Sequence, residues 1–174
     1  CGAVIFDMDG LLIDSEPFWR QVEIDVFDRA GFDIRPLIGR GKTMGMRVDT
    51  VVNMFCRELD VVEPSPAELV ARIISGMVDA ITKEAMLMPG ALEALDICAN
   101  AALPMALASG SLSAVIDAVV DRFTLRDRFM AICSAEHDEF GKPHPELFLR
   151  TARELGVAPP VCVVLEDSIN GCIA

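Results

Sequence analysis

The sequence predicts an α/β protein with a parallel sheet, in which an all-helical segment follows the first strand. Short apolar runs alternate with helical patterns after Pro89-Gly90, as expected for parallel strands that are connected by helices. A similar apolar run opens the chain. Residues 15–82, by contrast, show helical and loop patterns without a strand pattern, so we expect them to form a separate helical unit.

The first part of the chain is predicted to contain one strand and three helices. Residues 2–6 form the strand, and residues 15–30 form a helix that ends at Gly31, a typical C-cap residue. Residues 32–43 form a loop. The second helix is indicated by apolar residues at the spacing i, i+3, i+4, i+7, namely Val48, Val51, Val52 and Phe55. The third begins at the capping box Ser65-Pro66-Ala67-Glu68, and its apolar face consists of Leu69, Ile73, Met77 and Ile81.

The second part is predicted to alternate between helix and strand. The predicted helices cover residues 91–101, 111–122 with Ser111 as the N-cap, and 145–155, which ends at Gly156. The predicted strands cover residues 105–108, 130–133 and 161–165. The next helix should begin just after Glu166, so we expect that the C-terminal part of the sheet is missing from this chain and, from Cys1, that its start is trimmed. The predicted domains are a discontinuous core, 1–14 and 83–174, and a helical unit, 15–82.

Composition limits the possible functions. The 174 residues are 52% hydrophobic, enough for a buried core, and the net charge of −12 argues against nucleic acid and anionic membranes as partners. No apolar run has the length of a membrane span, and no basic segment typical of a signal peptide precedes the first one. The six cysteines form no C-x-x-C pair, as is typical of buried thiols in a reducing compartment. We therefore expect a cytoplasmic protein, and we also predict that it is a monomer.

Polar residues follow the carboxyl ends of the predicted strands. In chain order they are Asp7 and Asp9, Ser109 and Gly110, Lys142, and Glu166 with Asp167. Because ligands in open α/β sheets bind at the carboxyl ends of the strands, we expect these residues to share one rim. Residues i and i+2 of a strand point the same way, so Asp7 and Asp9 would have Cα atoms about 6.5–7 Å apart, with room for a phosphorus atom between their carboxylates.

Four motifs in this order resemble the haloacid dehalogenase superfamily: D-M-D-G-L-L-I-D-S, A-S-G-S, G-K-P-H-P-E and L-E-D-S-x-x-G. The agreement covers essentially the whole chain, and the helical segment falls where the β-phosphoglucomutase-like subgroup carries its cap. The resemblance implies a doubly wound, Rossmann-like sheet with a helical cap. The first and last motifs look especially like those of bacterial 2-deoxyglucose-6-phosphate and hexitol-phosphate phosphatases.

The resemblance also implies an activity: a Mg²⁺-dependent phosphatase of a small phosphorylated metabolite that acts through an aspartyl-phosphate. Asp7 would be the nucleophile, and Asp9 would be the general acid and then the general base. The Mg²⁺ ligands would be the side chains of Asp7 and Asp167 and the backbone carbonyl of Asp9, with Glu166 supporting the metal's waters. The phosphoryl group would lie in a cradle formed by Ser109, the Gly110 amide, Lys142 and the amides of Met8 and Asp9.

The cap loop offers candidate substrate contacts. Gly41-Lys42-Thr43 resembles the end of a nucleotide-binding P-loop, but Pro36 stands where that motif needs its first glycine, and no strand precedes it. We predict instead that Lys42 and Arg47 belong to a loop that closes over the substrate, with a solvated Arg47 as the alternative. Trp19 is a further candidate contact, and its alternative is the core of the first cap helix.

Hydrolysis is favoured over phosphoryl transfer between sugar positions. Mutases of the same subgroup carry a histidine soon after the Asp-Ser pair and an arginine in the cap loop. Here Trp19 occupies the first position and Val48 the second, with Arg47 one residue away. A phosphohexomutase similar to β-phosphoglucomutase is the first alternative, and a non-catalytic regulatory binding protein on the same fold is the second.

Overall fold

A computed structural model, which describes residues 1–38, Thr43 and residues 45–174, shows a four-stranded parallel sheet with the strand order β3-β2-β1-β4. The strands are β1 (Ala3–Phe6), β2 (Met105–Ser109), β3 (Ala131–Ser134) and β4 (Cys162–Leu165). The helices are α1 (Glu16–Arg29), α2 (Val48–Glu58), α3 (Pro66–Glu84), α4 (Ala91–Asn100), α5 (Ser113–Arg122), α6 (Glu146–Glu154) and α7 (Ile169–Ile173). The predicted α/β class with a parallel sheet is confirmed.

Helices cover both faces of the sheet. Side chains alternate along β1, so that Val4 and Phe6 join an apolar cluster with α4 and α5, whereas Ala3 and Ile5 join a second cluster with α6. All four residues of β1 are buried. Burial on both faces explains why this strand appears in the sequence as a continuous apolar run rather than an alternating one.

Parallel pairing brings the carboxyl ends of the strands to one rim. Phe6, the last residue of β1, pairs with Leu107 of β2 and with Leu165 of β4. Ser109 ends β2 and pairs with Ser134 of β3. The residues that follow these strand ends belong to the predicted motifs, so the fold delivers them to the same edge.

Helices α1 to α3 lie between β1 and α4 in the chain. Phe27 of α1 and Phe55 of α2 pack edge to face with ring centroids 5.8 Å apart. The predicted capping box is present at α3: the Glu68 amide donates to the Ser65 hydroxyl, and the Glu68 carboxylate accepts from the Ser65 amide. Arg122 of α5 donates to backbone carbonyls at the end of α3. A core of 1–14 and 83–174 with a cap of 15–82 stays our proposal for the domains.

The predicted N-cap of α5 is wrong. Leu112 occupies the N-cap position without a side-chain capping hydrogen bond, and the helix begins at Ser113. The Ser111 hydroxyl instead donates to Oδ2 of Asp9 at 2.7 Å. An N-cap hydroxyl accepts from a backbone amide, whereas here the hydroxyl donates to a carboxylate, which is a strong charge-assisted hydrogen bond.

All six cysteines are free thiols. Within the part of the chain that the structure describes, no helix combines the length and apolar character needed to cross a bilayer.

Candidate active site

The centre of the site is a buried cation between two carboxylates. Nζ of Lys142 lies 2.8 Å from Oδ1 of Asp7 and 2.6 Å from Oε2 of Glu166. None of the three side chains is more than 5% exposed, so water barely screens their charges. The contact with Asp7 is an ion pair without the alignment of a hydrogen bond.

Burial and mutual charge decide the protonation of this group. Burial raises the pKa of Asp7 above its ordinary range; Lys142 opposes this effect, whereas the charges of Glu166 and Asp9 add to it. Burial alone would lower the pKa of Lys142, but the carboxylates of Asp7 and Glu166 outweigh it and raise that pKa. The lysine therefore stays protonated, and its charge favours the carboxylate form of Asp7.

Four donors hold the carboxylate of Asp9. Oδ1 accepts hydrogen bonds from the Ser15 hydroxyl at 2.7 Å and from the Trp19 indole at 2.9 Å. Oδ2 accepts from the hydroxyls of Ser109 at 3.2 Å and Ser111 at 2.7 Å. Ser15 stands at the N-cap of α1 yet makes no capping hydrogen bond. The start of α1 is thus bonded directly to Asp9.

Three carboxylates meet at the rim in an arrangement that suits a hard cation. Ligand oxygens of Asp7, Glu166 and Asp167 lie within 4.8 Å of one another. Burial, followed by the charge of Glu166, raises the pKa of Asp167, so a divalent cation would relieve this crowding of acidic groups. Oxygen donors of this kind fit Mg²⁺. Gly10, with φ +77°, permits the close approach, because a Cβ there would overlap the Asp167 carboxylate.

Backbone groups beside Asp7 are available to an anion. Within the described ranges, the amides of Met8 and Asp9 donate no hydrogen bond. The side chain of Met8 is fully buried, so only its backbone can face a ligand. Gly110 lines the cavity described below, whereas Ser109 is fully buried and its hydroxyl accepts from the Ser111 amide at 3.0 Å while it donates to Asp9.

A cavity of about 630 Å³ lies over the rim. The predicted site residues that line it are Asp7, Asp9, Trp19, Gly110, Lys142 and Asp167. The other charged lining residues are Asp14, Glu16, Arg20 and Glu23. Counted over the described residues, the wall carries six carboxylates and two cationic side chains, so the cavity is acidic.

The two predicted contacts of the cap loop have different outcomes. Lys42 lies outside the described residues, so its prediction is not tested. Arg47 does not line the cavity, because its guanidinium donates to the Asp49 carboxylate at 2.7 and 3.1 Å and to the Asp138 carbonyl at 2.7 Å. It thereby links the start of α2 to the segment after β3. Gly45 of the same loop does line the cavity.

Several lining residues are not predicted from the sequence, and three polar ones among them are Ser111, Arg20 and Glu23. The sequence places Ser111 at a helix N-cap. Arg20 and Glu23 share with Glu16 and Trp19 one face of α1, at the spacing i, i+3, i+4, i+7. This spacing could have identified the lining face of α1 from the sequence, because charged residues occupy most of the positions at which a buried helix face would carry apolar ones.

Glu23 provides a stability test of this geometry. Burial, followed by the charge of Glu16, raises the pKa of Glu23 from 4.5 to about 7. The folded state therefore binds this proton more tightly than the unfolded chain does. The contribution of this proton to the free energy of unfolding is lost as pH rises from 4.5 to about 7. Allowing for its partial exposure, Glu23→Gln should raise the free energy of unfolding by about 1–2 kcal/mol above this range and by nothing below it.

Urea unfolding across that pH range measures the difference between Glu23→Gln and the wild type. Glu58→Gln is the matched control, because Glu58 is an exposed carboxylate of the same helical unit that does not line the cavity. A Glu23→Gln difference that does not change with pH would contradict the burial of this charge.

Comparison with known proteins identifies relatives over the whole chain. A family model described as a haloacid dehalogenase-like hydrolase matches residues 1–174. The chain is 43% identical over 172 residues to Hexitol phosphatase B of Escherichia coli (strain K12). The matched region covers 99% of this chain and 78% of that protein. It is 30% identical over 173 residues to Fructose-1-phosphate phosphatase YqaB of the same strain, and the matched region covers 97% of this chain and 87% of that protein.

A solved structure shows the same fold. The crystal structure of CbbY from Rhodobacter sphaeroides in complex with phosphate matches with a TM-score of 0.86 at 24% sequence identity. The match covers 99% of this chain and 80% of that chain. At this identity the likeness extends to the fold alone.

Proposed function

The chain belongs to the haloacid dehalogenase-like hydrolases and is a phosphatase, and from this premise we propose that it hydrolyses sugar or hexitol phosphates with Mg²⁺ through an aspartyl-phosphate. One observation carries the proposal. The buried Asp7–Lys142–Glu166 group lies beside Asp9 at one cavity, where a nucleophile, a cation and an acid/base are needed together.

The proposed reaction has two displacements at phosphorus. First, a carboxylate oxygen of Asp7 attacks phosphorus, the bond from phosphorus to the sugar oxygen breaks, and Asp9 donates a proton to that oxygen. Then water attacks phosphorus, Asp9 takes its proton, and the bond between phosphorus and Asp7 breaks. The four donors on Asp9 keep it in place for both steps. Lys142 and the free amides of Met8 and Asp9 are positioned to stabilise phosphoryl oxygens.

The acidic rim supplies the proposed metal ligands. The side chains of Asp7 and Asp167 and the backbone carbonyl of Asp9 would hold Mg²⁺. When bound, the ion offsets the negative charge of the phosphate and of the surrounding carboxylates. Glu166 is fixed for a supporting role, because its Oε1 accepts hydrogen bonds from the amide and the hydroxyl of Ser168.

The charge of the cavity favours a monophosphate whose remaining part is neutral. A mutase must bind a second phosphate against the cap, where Glu16 and Glu23 would repel it. Among the described cap residues that line the cavity, only Arg20 is cationic. Trp19, at the position where a mutase would place histidine, is engaged with Asp9. Hydrolysis is therefore the first candidate and phosphohexomutase activity the second.

The remaining proposals concern the alternatives and the setting of the protein. A non-catalytic regulatory role fits poorly, since Asp7, Asp9, Lys142 and Asp167 line one cavity as a complete set. The free cysteines support a reducing compartment, and we propose the cytoplasm. The monomeric state stays a prediction.

A phosphate-release screen over sugar and hexitol monophosphates tests the proposal. We expect release with Mg²⁺, no release in excess EDTA and recovery when Mg²⁺ is restored. Mg²⁺ should also raise the melting temperature of the wild type, and this rise should be smaller for Asp167→Asn, which lacks a proposed ligand. Asp127→Asn, an exposed control, should show the same rise as the wild type.

The screen distinguishes the competing functions. Undiminished release in EDTA would contradict the metal proposal. Interconversion of sugar phosphates that requires a hexose bisphosphate would establish the mutase, and a folded, Mg²⁺-loaded protein that is silent on the whole panel would favour the regulatory role.

A further inference from the structure

The face of α1 that lines the cavity carries a carboxylate well away from the reacting groups. Glu16, Trp19, Arg20 and Glu23 share this face. Trp19 contacts Asp9, which marks the reacting end. Glu23 lies one turn further along the helix, and four residues correspond to a rise of about 6 Å. That displacement is comparable to the length of a short polyol chain.

The carboxylate of Glu23 forms no hydrogen bond or ion pair with a described residue, and it has no role in the proposed reaction. The one charge that acts on it strongly is the like charge of Glu16. Its side chain is half-buried at the wall of the cavity, and this burial raises its pKa to about 7. A carboxylate held in this way lacks donors, and hydroxyl groups of a ligand would supply them.

We propose that Glu23 selects the polyol part of the substrate, because its carboxylate accepts hydrogen bonds from hydroxyl groups of a neutral sugar or hexitol monophosphate and repels a second phosphate. This inference rests on the proposed phosphatase function. The phosphoryl group occupies the end of the cavity at Asp7 and Lys142, and the hydroxylated carbon chain extends along α1 toward Glu23.

Other ligand chemistries fit this wall less well. A bisphosphate would place a dianion against Glu16 and Glu23. An apolar leaving group would cover Glu23 without offering it a hydrogen-bond donor. An ammonium group would form an ion pair with Glu23, but Arg20 on the same face would repel it. Hydroxyl groups satisfy both side chains, since they donate to a carboxylate and accept from a guanidinium.

A substrate-by-variant cycle tests the inference with the Mg²⁺-loaded protein. The probes are sorbitol 6-phosphate, which carries hydroxyl groups, and phenyl phosphate, whose leaving group carries none. For Glu23→Ala, the ratio of kcat/KM for sorbitol 6-phosphate to that for phenyl phosphate should fall about 10- to 100-fold, as expected for a lost charge-assisted hydrogen bond. The loss should lie mainly in KM, because the contact is remote from phosphorus. Glu23→Gln, which keeps the size of the side chain, should show a smaller fall of the same sign.

Glu58→Gln is the control, and it should leave the ratio unchanged. If the wild type hydrolyses both probes and neither Glu23 variant changes the ratio, the inference is overturned while the proposed function stands. If the wild type hydrolyses neither probe nor any sugar phosphate, the proposed function fails and the inference with it. A larger loss for glucosamine 6-phosphate than for glucose 6-phosphate in Glu23→Gln would overturn hydroxyl selection in favour of an ammonium contact.

Discussion

Asp7→Asn is expected to abolish turnover while the fold stays intact. The amide cannot attack phosphorus as the carboxylate does, so the covalent route is closed, and kcat should fall by about 10⁴-fold or more. The fold should tolerate the change, because asparagine has nearly the same shape and Lys142 keeps its contact with Glu166 at 2.6 Å. Phosphate release and urea unfolding on the same preparation measure the two effects.

Asp127→Asn serves as the matched control for this variant, since Asp127 is an exposed aspartate that precedes β3 and does not line the cavity. It should retain wild-type rates. Turnover by a folded Asp7→Asn enzyme at a rate close to that of the wild type would remove Asp7 from the mechanism.

Lys142→Met is expected to damage both stability and catalysis. It leaves Asp7 and Glu166 buried without their counter-charge, which costs about 3–5 kcal/mol when one partner of a buried pair is removed. Without the lysine, the pKa of Asp7 rises further, so less of the nucleophile is ionised at neutral pH. The phosphoryl oxygens also lose a cation, and kcat/KM should fall by at least about 10²-fold.

Lys83→Met separates this effect from the general loss of a lysine. Lys83 pairs with Asp79 on the exposed surface of α3, with Nζ 2.6 Å from Oδ1, and such pairs contribute little. Its removal should change the free energy of unfolding by less than about 0.5 kcal/mol and leave the rate unchanged. A Lys142→Met enzyme with the stability and rate of the wild type would show that the buried ion pair is unimportant.

The rim of the site could be predicted because it follows from topology. Once the strands are parallel, their carboxyl ends share an edge, and the segments that follow them can meet there whatever their distance in the chain. Asp7 and Lys142 are 135 residues apart in the sequence yet form an ion pair. Strand patterns and chain order were sufficient for this part.

The cap could not be predicted in the same detail, because helix faces look alike until their partners are known. Glu23 resembles a residue on a solvated helix face, and only the position of α1 over the rim turns it toward the cavity. Arg47 is predicted to contact substrate, but its guanidinium donates to the Asp49 carboxylate and to the Asp138 carbonyl instead. Ser111 precedes a helix as an N-cap would, but its hydroxyl donates to the carboxylate of Asp9, in the segment after β1.

The identity of the covalent intermediate tests the central claim most directly. Mg²⁺-loaded wild-type enzyme would be mixed with sorbitol 6-phosphate, quenched in acid during turnover, reduced with borohydride and digested for peptide mass spectrometry. Borohydride reduces an aspartyl-phosphate to homoserine, so the account predicts homoserine at position 7 that depends on both substrate and Mg²⁺. Reduction at another side chain, or at none while the enzyme is releasing phosphate, would contradict it.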